Sequence, residues 1–153
     1  MDRKSELLNS AIFRMKLKFD KAFFKDPRSE HEFMFLNALN CCIERSPEFN
    51  GSCVKASSIS KYTGLPKSAV SKMLNVLEKK NFIVRSHSVN DRRVVYISIS
   101  DEGKMYLMNT RKSIDNLSAV IAEELGEENT AEFIRLTEVI IDTIEKIYRK
   151  NTE

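Results

Sequence analysis

Three residues, Gly64, Leu65 and Pro66, separate two short helical patterns. Few folds accommodate so tight a join. "KASSISKYTG" reads as a short helix ending at Gly64, where the missing side chain permits the left-handed stop. "LPKSAVSKMLNVLEKKN" resumes almost at once, with Pro66 suited to the first helical turn. Ser60, four residues before Gly64, is small enough to let the two helices approach closely. In the second helix Ala69, Val70, Met73, Leu74 and Leu77 make an apolar stripe at helical spacing. Lys67, Ser68, Ser71, Lys72, Asn75 and Lys79 are left on the other faces. Two helices, a tight turn and a basic second helix have the grammar of a helix-turn-helix.

A hairpin follows directly. "FIVRSHSV" is a plausible strand, "NDRR" a tip, and "VVYISIS" a second strand in which Val95, Ile97 and Ile99 alternate with Tyr96 and Ser98. Ser100 or Asp101 then caps a long helix carrying Tyr106, Leu107, Ile114, Leu117, Val120 and Ile121. "GEEN" reads as a turn, and a last helix spans about 130–149. Upstream, Leu7, Leu8, Ala11, Ile12, Met15, Phe19, Ala22 and Phe23 mark one face of a helix over 5–25. Pro27 breaks it. A second helix, about 29–45, is apolar on more than one side through Phe33, Phe35, Leu36, Leu39 and Ile43, which predicts deep burial. "RSPEFNGS" reads as a loop through Pro47, Asn50 and Gly51. The order is ααααββαα: mainly α with a small β-wing, a winged helix-turn-helix over 29–101 flanked by dimerisation helices over 1–28 and 102–153.

The overall charge of +3 hides a strong asymmetry. Residues 55–93 hold nine lysines and arginines against two acids, Glu78 and Asp91, a balance of +7. Residues 1–54 carry +1 and residues 94–153 carry −5. A basic middle suggests one polyanion-binding module inside a larger frame. The hairpin tip gives that module a second contact. A wing beside the recognition helix reaches the neighbouring minor groove, which is narrow and strongly negative over A·T-rich DNA and favours inserted arginine. Of Arg92 and Arg93, one is free to enter. Asp91 pairs with the hairpin backbone or with the other guanidinium and holds the tip in shape. The DNA-binding set expected from this reading is Lys55, Lys67, Ser68, Ser71, Lys72, Asn75, Lys79, Arg85, Asp91, Arg92 and Arg93.

Other chemistries find little here. Cys41, Cys42 and Cys53 are odd in number and form no C-x-x-C pair, so a disulfide framework is not expected. They read as small buried hydrophobes, with redox sensing as the competing role. With His31 and His87 the only histidines, no zinc-like spacing is present. No nucleophile–base set, carboxylate pair or phosphate loop is visible, so neither catalysis nor a cofactor nor a metal is expected. His87, near the wing, is expected at a phosphate. No stretch approaches the roughly 20 apolar residues of a membrane span. The N-terminus lacks a signal-peptide core, which places the protein in the cytoplasm. A winged helix used for protein contacts alone is the competing function.

From Val54 to Gly103, about a third of the chain, the sequence resembles the multiple-antibiotic-resistance regulator (MarR) family of bacterial winged-helix transcription factors. The family's wing signature stands here as Asp91, Arg93, Val95, Ile97, Ile99, Ser100 and Gly103. Its recognition helix resembles "SAVSKMLNVLEKKNFI", matching in kind at Ser68, Val70, Ser71, Lys72, Leu74, Leu77, Glu78 and Phe82. The resemblance implies an obligate homodimer whose terminal helices interlock, each winged helix reading half of a palindromic site on double-stranded DNA. It implies a repressor relieved by a small aromatic or lipophilic acid. Such an effector would use a cleft near Phe33, Phe35, Phe23 and Met15, with Arg14 or Lys18 at hand. Three apolar helices outside the module, with little core left to bury them, independently point to self-association. The chain departs from the family at Leu65, where a polar cap is frequent, and at Val76, frequently basic. It has no cysteine in the first helix, and "RSPEFNGSC" is a longer connection than usual.

Overall fold

The fold is described from a computed structural model, for residues 2–24, 26–46 and 51–150. The expected loop residues Pro47 and Asn50 lie outside the described residues. The elements in order are α1 (Arg3–Phe23), α2 (Pro27–Glu44), β1 (Val54–Lys55), α3 (Ala56–Thr63), α4 (Lys67–Lys79), β2 (Ile83–His87), β3 (Val95–Ile99) and α5 (Asp101–Lys150). Two compact units divide the chain, Met1–Arg111 and Lys112–Glu153.

Pro27 ends one helix and opens the next. Asp26 caps α2, its Oδ1 accepting from the backbone N–H of Arg28 at 2.8 Å and of Ser29 at 3.1 Å. The Ser29 amide, first among several donors, holds the Asp26 carboxyl below the usual carboxylate range. α2 then runs as the central beam. Leu36 and Leu39 are fully buried, with Phe33, Phe35, Cys42 and Ile43 close behind. Val54, Ile59, Leu77 and Ile97 are also fully buried, one from each of β1, α3, α4 and β3, and α2 packs on α3 and α4.

The sheet is antiparallel and three-stranded, in the order β1-β3-β2. Ile83 faces Ile99, Arg85 faces Ile97 and His87 faces Val95, while Val54 pairs Ile97 from the other side. The sequence pattern supplies only β2 and β3. β1 has two residues, too few to show an alternation.

The base of the hairpin is tied to the start of α5. Ser100 is the cap: its Oγ accepts from the Gly103 N–H at 3.0 Å and donates to the Asn81 carbonyl at 2.5 Å. Its own N–H donates to the Phe82 carbonyl at 3.1 Å. Gly103 is buried against the same carbonyl, so that an added Cβ would stand 2.1 Å from Phe82 O. Tyr106 stacks on Phe82 one turn later, ring centroids 4.7 Å apart. A buried carboxylate ties α4 to α2: Glu32 meets Lys80 Nζ at 2.5 Å.

α5 is interrupted at Gly126 (φ 75°, ψ 169°), so helices over 101–125 and 127–150 abut there. The expected "GEEN" turn shrinks to one residue. Asn129 Nδ2 donates to the Leu125 carbonyl at 2.8 Å and Thr130 Oγ1 to that of Ala122 at 3.3 Å, satisfying carbonyls the break would orphan. In the unit from Lys112, Phe133, Ile134, Val139, Ile144 and Ile147 are all exposed. α1 buries no residue either, and leaves Leu7, Leu8, Ile12 and Met15 exposed. No described helix is long and apolar enough to cross a membrane.

Two stability outcomes follow. Gly103→Ala forces a methyl into the Phe82 carbonyl and is expected to destabilise by about 2–4 kcal/mol in a denaturant melt. Leu36→Ala, a cavity in the fully buried beam, is expected to cost about 3–5 kcal/mol by the same measurement.

Candidate nucleic-acid interface

The join between α3 and α4 is held by more than a glycine. Gly64 sits at φ 70°, ψ 1°, the left-handed conformation that a side chain would strain. Thr63 Oγ1 donates to the Ile59 carbonyl at 2.8 Å, and Ser60 Oγ to the Leu65 carbonyl at 2.6 Å. Ser60 therefore acts as a tie as well as a small residue. Pro66 is the residue before α4, its carbonyl accepting from Val70 N–H at 3.0 Å. Leu65 thus supplies no side-chain cap, and the helix starts from Pro66 instead.

α4 buries Val70, Leu74 and Leu77. Lys67, Ser68, Ser71, Lys72, Asn75 and Lys79 are all exposed. Ser68, Ser71, Lys72, Asn75 and Lys79 recur at helical spacing and share one outward stripe. Lys55 is set apart from them: it is half-buried, ends β1 and precedes α3.

Arg85 crosses from β2 to this stripe. Its Nη2 donates to Asn75 Oδ1 at 2.6 Å, and its Nε lies 3.2 Å from Glu78 Oε2. That second contact is an attraction of charges without hydrogen-bond alignment, since the buried Nε has no hydrogen-bond partner among the described residues. A cavity of about 270 Å³ opens beside Arg85, lined by Ser60, Lys67 and Ser71 and by the apolar Val70, Leu74 and Ile97 among others. Arg85 thus joins α4 to the hairpin.

The hairpin tip is braced from inside. Asp91 Oδ1 accepts from the Arg93 N–H at 2.9 Å, and the Asp91 carbonyl accepts from Val94 N–H at 2.9 Å. Of the two expected roles for Asp91, the structure has the backbone one. His87 Nδ1 donates to the Arg92 carbonyl at 2.9 Å, so that ring nitrogen braces the tip from within the wing. Arg92 and Arg93 are exposed, and neither guanidinium has an ion pair or hydrogen bond among the described residues. Val89 beside them is fully exposed.

Sequence reasoning missed Glu78, Ser60 and His87 as bracing groups. Opposite charge at Glu78 and Arg85 was available as a signal, but these residues pair between elements rather than along one.

Of the residues of the expected effector cleft, two are core residues. Phe33 and Phe35 are buried, and Phe33 lies 5.7 Å from Phe24 and 6.3 Å from Tyr106. Met15, Arg14 and Lys18 are exposed and Phe23 is half-buried. Cys42 and Cys53 are buried, and burial pushes the Cys42 thiol up, away from the reactive thiolate; Cys41 is half-buried. No group of three His, Cys, Asp or Glu among the described residues is placed to hold a metal ion.

The family model for MarR matches residues 42–95, from the end of α2 through the wing tip. Over that stretch the chain is similar to the MarR family. The HTH-type transcriptional repressor MdtR of Bacillus subtilis is 30% identical over 98 residues, 64% of this chain and 63% of MdtR. A second B. subtilis protein, the uncharacterized HTH-type transcriptional regulator YwhA, is 38% identical over 80 residues, 49% of this chain and 57% of YwhA. The chain thus spans under two thirds of the length of these relatives. Among solved structures, Streptococcus pneumoniae FabT in complex with DNA superposes with a TM-score of 0.65 at 19% identity, covering 95% of this chain and 97% of FabT. A mutant MarR from E. coli complexed with operator DNA gives a TM-score of 0.60 at 18% identity, covering 92% and 99%. At these identities the likeness establishes the MarR-type fold. Its helix-turn-helix is α3–α4 and its wing is β2–β3.

Asp91→Ala removes the side-chain acceptor of the Arg93 amide, worth about 0.5–1.5 kcal/mol. Exchange of that amide with solvent deuterium is expected to quicken about 3- to 10-fold, with the global melting temperature nearly unchanged.

Proposed function

We propose that the chain is a homodimeric, sequence-specific DNA-binding regulator of transcription, working in the cytoplasm as a repressor that a small aromatic or lipophilic acid releases. Residues 29–101 bind DNA, and 1–28 with 102–153 form the dimer. The observation that carries the reading is the pair of guanidiniums at the tip. Arg92 and Arg93 stand exposed on a hairpin braced from within, beside a helix whose outward stripe is lysine, serine and asparagine. A protein that used the wing for its own stability would pair them.

In this reading α4 enters the major groove. Ser68, Ser71 and Asn75 face base edges, while Lys67, Lys72 and Lys79 meet phosphates. The tip enters the adjacent minor groove with one arginine. Lys55 supports the backbone contact from the edge of the sheet. Similar proteins agree in kind: MdtR is a transcriptional repressor, and FabT was solved in complex with DNA. The exposed apolar faces of α1 and of 127–150 support association of two copies. Twofold symmetry in the protein then requires a pseudo-palindromic site.

The test is fluorescence anisotropy on DNA flanking the protein's own gene across a salt series, with sedimentation equilibrium for the dimer. Arg93→Ala or Arg92→Ala is expected to weaken binding by about 1–3 kcal/mol and to lower the salt slope by about 1, with the fold intact. If neither variant alters affinity, the wing is not a DNA contact. A monomer at micromolar concentration counts against the dimer.

A further inference from the structure

We infer that Asn75 determines base specificity as a donor whose polarity Arg85 sets, so that it favours a guanine·cytosine pair over an adenine·thymine pair. This rests on the DNA-binding reading above. Asparagine in a recognition helix commonly reads adenine with both ends of its amide, Nδ2 donating to N7 and Oδ1 accepting from the N6 amino group. Here Oδ1 is already engaged, accepting from Arg85 Nη2 at 2.6 Å. A guanidinium has donors and no acceptor, so the amide cannot turn over and keep this partner. Nδ2 is the end left for DNA.

One lone pair of Oδ1 remains, but it lies beside a cation. An adenine amino group presents a positive edge and would meet that cation at close range. Guanine presents N7 and O6, two adjacent acceptors in the major groove, whereas thymine O4 lies beside the amino group of its paired adenine. The guanidinium is itself fixed. Its Nε lies 3.2 Å from Glu78 Oε2 on the same helix as Asn75, and Arg85 stands on β2 opposite the fully buried Ile97. The pairing is thus built into the scaffold, and its geometry joins the hairpin to the reading face of α4.

The probe is a randomised double-stranded DNA library, selected by binding to the full chain at fixed salt and sequenced. Wild type, Asn75→Ala, Asn75→Asp and Arg85→Met are compared, with folding checked by circular dichroism. Asn75→Ala is expected to flatten one position per half-site, and wild type to hold a guanine·cytosine pair there. Arg85→Met frees Oδ1 and is expected to raise the adenine·thymine pair at that position about tenfold. Asn75→Asp keeps the Arg85 partner but offers no donor, and is expected to lose the wild-type preference at that position about tenfold. This arm decides the matter should Arg85→Met fail to fold. An adenine·thymine pair at that position in wild type overturns the inference. So does the absence of any Asn75-dependent position, a folded Arg85→Met with an unchanged profile, or an unchanged Asn75→Asp profile. Selection of a clear palindrome with any of these results leaves the DNA-binding reading standing. Recovery of no sequence at all removes both.

Discussion

The direction of the wing depends on how the base of the hairpin is closed. Ser100 bridges that base with three bonds, to the Asn81 carbonyl, the Phe82 carbonyl and the Gly103 amide. One serine thus ends β3, receives the chain leaving α4, and opens α5. Because Gly103 lies against the Phe82 carbonyl, the first turn of α5 cannot lift away to relax the junction. The register of β2 on β3 follows from it, starting with Ile83 against Ile99. Everything further out, including His87 against Val95 and the tip beyond, inherits that starting point.

A second level of order is carried by donors and acceptors. Within the wing, backbone amides and the His87 ring are satisfied by Asp91 and by main-chain carbonyls. This inward accounting leaves the arginine heads outside the network, where they gain nothing by folding back. Across the groove, Arg85 does the opposite and commits its head to Asn75 and Glu78. Residues of one charge thus divide into those that fix the frame and those left to meet a partner. The +7 balance over 55–93 does not distinguish the two sorts.

Local chemistry was legible in the sequence. Gly64 and Pro66 marked the helix join, the alternation from Val95 marked β3, and Ser100 marked the start of α5. Each signal lies within a few residues of the feature it specifies. What escaped was non-local. β1 exists only because Val54 finds Ile97. Lys80 reads as one more surface cation until Glu32, 48 residues away, is seen beneath it. The pairing of Arg85 with Asn75 was likewise hidden, and both residues stood as equals among the DNA contacts. The apolar stripe of α1 was plain from its period, yet periodicity names a face without naming what lies against it.

That stripe has a thermodynamic consequence. α1 runs for 21 residues and buries none of them in its own chain. A helix of this length in water holds its shape only marginally by propensity. If a second copy covers it, helix formation and association become one equilibrium, and the order of the N-terminal segment becomes a function of how much protein is present.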